Sequence, residues 1–239
     1  MTFTDYYRRL GPGTINVDMI QRTTEKPTSS TILPIRPNGD RPALHVRGAS
    51  DRLFISEEDF PKVCNARFLH HGGTGLLEDM DNSSQSVKLL SYAKSSGLTT
   101  SLDLIAPNDD TLDLLKPMLP YVDFFMPSIQ EALFISKLSS KEEAAKFFIG
   151  IGAGTCIFKC GEMGSYIKTS CGDEFTIPAF KVPVKDTTGC GDAYCGGFLA
   201  GLSKGMDIKE ACRLGTATSA LVATGPCNDI TYIIVFSLS

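Results

Sequence analysis

The chain has 239 residues, 42% of them hydrophobic and 21% charged, which is globular usage with enough length for a substantial core and one domain. Its formal net charge of -4 argues against a surface built to hold a nucleic-acid backbone. No stretch approaches the roughly 20 apolar residues of a membrane span, and residues 1–13 lack an apolar signal core, so no membrane contact and a cytoplasmic location are expected.

In chain order, residues 29–35 (SSTILPI) and 42–47 (PALHVR) read as two extended segments around a Pro-Asn-Gly turn, a hairpin signal. The hairpin, about 28–48, is expected to be a small β appendage, a candidate lid. From residue 66 short apolar runs alternate with helical patterns. ARFLHH (66–71) predicts a strand ending before a Gly-Gly turn, and SSQSVKLLSYAKSSG (83–97) a helix with Ser83 or Ser84 near its N-cap and Gly97 past its end. Residues 98–106 predict a second strand, 108–119 a short helix, 121–127 a third strand and 128–136 a helix. A helix over 139–150 leads to a buried strand, TCIFKCG. Strands separated by helices imply right-handed βαβ units on a mostly parallel sheet.

After Lys159 the pattern changes. SYIKTS (165–170) and EFTIPAF (174–180) alternate like hairpin strands, so antiparallel strands are expected at that edge. Two helices follow, one opened by the turn at Gly189 and one from Asp207, with Glu210 at capping-box spacing. The eight cysteines are scattered without a C-x-x-C pair and read as reduced thiols. Three histidines, His45, His70 and His71, give no zinc spacing.

The stretch VKDTTGCGDAYCGGF, Val184 to Phe198, carries the chemistry. In an open α/β sheet ligands collect at the carboxyl ends of strands, where helices begin. Gly189 and Gly191 let consecutive amides converge, and the helix adds its positive end, so the turn suits an anion. Asp192 then fits a site where the arriving charge is transient: amides stabilise a phosphoryl group while the carboxylate takes the proton of the attacking hydroxyl. The alternative is a plain helix start, with Asp192 in the first turn complementing the macrodipole. GIGAG at 150–154 precedes a strand, opposite to a dinucleotide fingerprint, and no G-K-[ST] phosphate loop occurs.

DTTGCGDAY resembles the signature of the PfkB, ribokinase-like carbohydrate kinases, D-T-x-G-A-G-D-x-F, with Cys190 for Ala and Tyr194 for Phe. FKCGEMGSYI resembles the family's K-x-G-x-x-G segment, MPSIQEA its N-x-x-E segment, and Thr28 to Ala49 its lid hairpin and following Gly-Ala. The resemblance implies a three-layer αβα fold, a mostly parallel sheet with a small β lid hairpin, in one domain over 1–239. It implies an ATP-dependent kinase of a small sugar, with Asp192 as base and Gly189, Cys190 and Gly191 as the anion hole. Lys159, Gly161, Glu162 and Gly164 would lie along ATP, although a tight turn also explains those glycines. Glu131 would belong to a Mg2+ network, with Ser128 in the place of the family's Asn; the two also stand at capping-box spacing. Asp186 and Thr188 match positions beside a monovalent cation such as K+ in some members, and a strand-end Asp is also a common turn former.

Members of the family usually carry an early Asp and a Gly-Gly-x-x-x-N segment that grips the sugar; neither is present, and ITYIIVFSLS (230–239) replaces the expected close. The sequence thus resembles a member trimmed at both ends, with the first strand-helix units lacking and dimerisation through the lid or an exposed sheet edge as an expectation. A nucleoside kinase of the same family and a catalytically silent nucleotide-binding remnant stay open beside the sugar kinase.

Overall fold

The protein is described by a computed structural model for residue 16, residues 18–34 and residues 43–225. A two-stranded antiparallel sheet is formed by β1 (Ser30–Ile32) and β2 (Leu44–Val46), in register Ile32 to Leu44. These are the arms of the expected hairpin; its Pro-Asn-Gly turn lies outside the described residues. So do residues 1–15, the tail at 230–239 and Cys227.

After a short helix, α1 (Phe60–Val63), the main sheet runs in the order β3-β4-β5-β6-β7-β8. Its strands are β3 (Phe68–Thr74), β4 (Thr99–Leu104), β5 (Phe124–Phe125), β6 (Thr155–Lys159), β7 (Ser165–Thr169) and β8 (Glu174–Ile177). β3 to β6 are parallel and β6-β7-β8 antiparallel, as the change of pattern after Lys159 predicts. The helices between them are α2 (Glu78–Asn82), α3 (Gln85–Ser95), α4 (Thr111–Leu115), α5 (Ile129–Ser136) and α6 (Lys141–Gly150), followed at the end by α7 (Cys190–Ser203) and α8 (Ile208–Ala223).

Alternation along the strands sorts the core into two layers. Phe125, Cys156 and Phe158 face α3 to α6, where Leu90, Leu115, Ile135 and Phe148 close the layer. Phe124, Met126 and Ile157 face the other way, against Tyr194, Phe198 and Ala211 of α7 and α8. The result is three layers, αβα.

Two local expectations are corrected. β3 does not end at His71: it continues through Gly72, Gly73 and Thr74, with a register shift between His71 and Thr74 that Gly73 absorbs at φ 78. Ser84 does stand at the N-cap of α3, but at φ 58 with no side-chain cap, because α2 runs almost directly into α3; the Ser83 hydroxyl donates instead to the Asp79 carbonyl. Both capping boxes form as read, Ser128 with Glu131 on α5 and Asp207 with Glu210 on α8.

The small residues of α7 and α8 have a packing reason. A Cβ at Gly197 would stand 2.2 Å from Thr218 Oγ1, one at Gly201 2.9 Å from Ala211 Cα, and one at Gly215 2.8 Å from the Tyr194 carbonyl oxygen. α7 and α8 therefore meet nearly backbone to backbone. This close seam, with Thr218 Oγ1 donating to the Ala193 carbonyl at 2.7 Å, fixes where the N-terminus of α7 points. Among the described residues no helix is long and apolar enough to cross a membrane, and the seven described cysteines are free thiols.

Candidate active site

A cleft of about 1200 Å³ opens at the carboxyl ends of β4 and β6, the location a parallel sheet favours for ligands. The first turn of α7 forms one wall. Its two glycines do different jobs. Gly189, the N-cap, has φ 78 and open space around a hypothetical Cβ, so its backbone conformation selects glycine. Gly191 has no such φ; a Cβ there would meet Lys159 Nζ at 3.3 Å. Asp192 is exposed in this first turn and lines the cleft.

The three amides expected to form the anion hole are not equivalent. The Cys190 N–H donates to the Thr187 carbonyl at 3.2 Å, and the first intrahelical bond is Ala193 N–H to the Gly189 carbonyl at 2.9 Å. The Cys190 amide is thus spent on the turn. Gly191 and Asp192, at the second and third helical positions, are the amides an α-helix leaves for an outside acceptor.

The floor holds a largely buried ion pair. Lys159, the last residue of β6, donates from Nζ to Asp103 Oδ2 at 2.5 Å, across the two-residue β5. The side chains are only 15% and 10% exposed. Burial by itself would lower the Lys159 pKa; the interactions with Cys195, Asp103 and Glu131 together outweigh it and hold the ammonium above the usual lysine value. The other oxygen, Asp103 Oδ1, accepts the Leu104 N–H at 2.8 Å, and Cys195 Sγ lies 3.4 Å from Oδ2. Burial pushes the Cys195 thiol well up, so it remains protonated. Sequence reasoning did not single out Asp103. The available signal was an acidic residue at the carboxyl end of a parallel strand.

Ser128 caps α5 opposite. Its N–H and Oγ both donate to Glu131 Oε2, at 2.8 and 2.7 Å, and its Oγ accepts the Glu131 N–H at 3.2 Å. The capping function is thus realised through Oε2, and Glu131 lines the cleft. Ser128 and Lys159 are also bridged across their backbones. Gly161, Glu162 and Gly164 form the turn after β6 and line the same cleft. Gly164 is fixed by packing: at φ 89, a Cβ would stand 1.9 Å from the Ile177 carbonyl oxygen. Above this turn Met163, Phe180 and Val184 expose apolar side chains to the cleft.

Asp186, Thr188 and Gly189 make the loop leading into α7. Asp186 Oδ1 accepts the Thr188 N–H at 2.8 Å, the bond of a turn-forming aspartate. The backbone N–H groups of Lys185 and Asp186 donate to the Ala223 carbonyl at the end of α8. Of the site residues read from the sequence, Asp192, Cys190, Gly191, Lys159, Gly161, Glu162, Gly164, Ser128 and Glu131 converge on the cleft.

The pfkB family carbohydrate kinase pattern matches residues 4–227. A cytidine kinase from Thermococcus kodakarensis is 36% identical over 104 residues, covering 43% of this chain and 37% of that protein. A 5-dehydro-2-deoxygluconokinase from Clostridium botulinum is 28% identical over 216 residues, 85% of this chain and 60% of that protein. The chain thus spans less than two thirds of the length of these two relatives. Among solved structures, Arabidopsis thaliana ribokinase complexed with ribose and ATP has a TM-score of 0.72 at 19% identity, covering 84% of this chain and 64% of that one. A putative ribokinase II from E. coli in complex with ATP and Mg2+ has a TM-score of 0.70 at 25% identity, with 84% and 66% covered. The fold is ribokinase-like, and on a match of nearly its whole length the chain belongs to the pfkB family of carbohydrate kinases.

Proposed function

We propose that the protein transfers the γ-phosphoryl group of ATP to a hydroxyl of a small sugar. The observation that carries the reading is the Asp192 carboxylate, exposed on the cleft wall one residue beyond a glycine that abuts a partly buried lysine. In the reaction the acceptor oxygen attacks the γ-phosphorus, its proton passes to the Asp192 carboxylate, and the β–γ bridging bond breaks to release ADP. The Gly191 and Asp192 amides and the Lys159 ammonium stabilise the charge of the group in flight. Met163, Phe180 and Val184 offer an apolar slot of the kind a nucleobase fills.

Mg2+ is the metal of this reading. Glu131 Oε1, free of the cap, is a carboxylate oxygen suited to a hydrated Mg2+, which would neutralise phosphate charge. Asp186 and Thr188 stay the candidates for a monovalent cation such as K+. The hairpin over 28–48 belongs to a single domain over 1–239; Ile32, Leu44 and Val46 are exposed on one of its faces and support dimerisation through the lid. A cytoplasmic location fits the free thiols of the seven described cysteines.

A nucleoside acceptor is the second reading, favoured by the cytidine kinase likeness. The test is turnover with ATP and Mg2+ on a panel of sugars and nucleosides, with Asp192→Asn lowering kcat by about 10² to 10⁴. ATP binding with no turnover on any acceptor would leave a nucleotide-binding remnant in place of a kinase.

A further inference from the structure

We infer that Asp103 is a positioning residue: it pins the Lys159 ammonium beneath the Gly191 turn, and Gly191 lacks a side chain to admit that ammonium. The inference rests on the phosphotransfer reading above and adds to it a residue and a reason for a glycine.

Three observations carry it. First, the carboxylate is itself immobilised. Asp103 Oδ1 is bonded to the Leu104 N–H at 2.8 Å, and Oδ2 faces both Lys159 Nζ at 2.5 Å and Cys195 Sγ at 3.4 Å. An anchor tied to the end of β4 and to α7 transmits their positions to the lysine. Second, the ammonium is left with donor capacity. It carries three N–H groups, and its acceptors are Asp103 Oδ2 and, at 3.9 Å, Cys195 Sγ. Third, Gly191 has an ordinary φ, so its conformation suits any residue; a Cβ there would come within 3.3 Å of Lys159 Nζ, so the pinned ammonium would have to give by a few tenths of an ångström.

A structural role alone accounts poorly for the pair. A buried salt bridge is commonly no more stabilising than apolar residues of the same volume, and this one adjoins the apolar layer that contains Cys195. Lysine is also a long, flexible chain that loses rotamer freedom when held. Glu131 attracts the same ammonium electrostatically. With Asp103 neutral, Lys159 is free to shift toward Glu131 and away from the amides of Gly191 and Asp192, so the charge no longer meets the phosphate where the amides do.

The test compares ATP with adenosine, because adenosine lacks the group Lys159 is placed to meet. Wild type, Asp103→Asn and Gly191→Ala are titrated calorimetrically with each ligand in Mg2+, and assayed for turnover on the acceptor panel. Asp103→Asn and Gly191→Ala are each expected to weaken ATP about tenfold, one charge-assisted hydrogen bond's worth, while adenosine stays within about twofold. Turnover falls about tenfold or more with them. The double variant Asp103→Leu/Lys159→Met controls for folding: it removes both charges, recovers the wild-type melting temperature and still loses the preference for ATP. Equal weakening of ATP and adenosine, or no change in either, overturns the inference. Failure of the kinase reading looks different: wild type then turns over no acceptor, whereas the ATP-to-adenosine ratio still reports on Asp103.

Discussion

Gly196 and Gly197 are neighbours in α7, yet replacing each with alanine should change stability in opposite directions. Alanine in a helix interior is favoured over glycine by about 0.5–1 kcal/mol, since glycine loses more backbone freedom on folding. Gly196 is exposed, and nothing lies within 4 Å of a Cβ built there. Gly196→Ala should therefore stabilise by about that amount. At Gly197 the same methyl would stand 2.2 Å from Thr218 Oγ1 and 3.0 Å from Gly215 Cα. Thr218 cannot easily yield, because its hydroxyl bonds the Ala193 carbonyl at 2.7 Å and lies 2.9 Å from that of Gly215. Prying the two helices apart costs roughly 1–3 kcal/mol, and losing the Thr218 bond adds about 1 kcal/mol. Set against the propensity gain, Gly197→Ala should destabilise by about 1–3 kcal/mol. Urea unfolding at fixed m reads both variants, and at this chain length each kcal/mol moves Tm by roughly 2–4 °C. Two alanines that shift stability the same way would refute a close-packed α7–α8 seam.

His71 is buried, with Nδ1 3.0 Å from Thr74 Oγ1 and Nε2 3.1 Å from Ser86 Oγ; burial first, and the neighbouring His70 second, lower its pKa to about 4 from 6.5. A depressed histidine favours folding while neutral, so its contribution is complete above pH 6.5 and is lost as pH falls toward 4, where the folded form also takes the proton. The loss amounts to about 3 kcal/mol at 1.36 kcal/mol per unit; denaturation at pH 7 and pH 4.5 should show most of it, and His71→Asn should flatten that slope. Ser128→Ala should cost about 1 kcal/mol by opening the α5 capping box, while Ser128→Asn, still a good N-cap, should retain stability in the same melt.

What could be read from the chain is what short stretches decide alone. The Ser128 and Asp207 boxes, the alternation of strands and helices up to β6 and the switch to a hairpin after Lys159 all rest on contacts a few residues apart, and the structure has them. The glycine turn before α7 is local in the same sense. Asp103 is different: its partner lies 56 residues away, and the two meet only because β5 shrinks to Phe124–Phe125, letting a lysine on β6 reach a carboxylate on β4. Before that distance is known, an aspartate at a strand end looks like any turn former, as Asp186 turns out to be at its own loop. Gly191 was legible as a glycine of the turn, but its reason was not, since the reason is a lysine brought from another strand. The same holds for the Cys190 amide, whose bond to Thr187 removes it from the set of free donors. Charge and small size at a site are thus visible residue by residue, whereas their division of labour depends on how strand lengths set the reach between them.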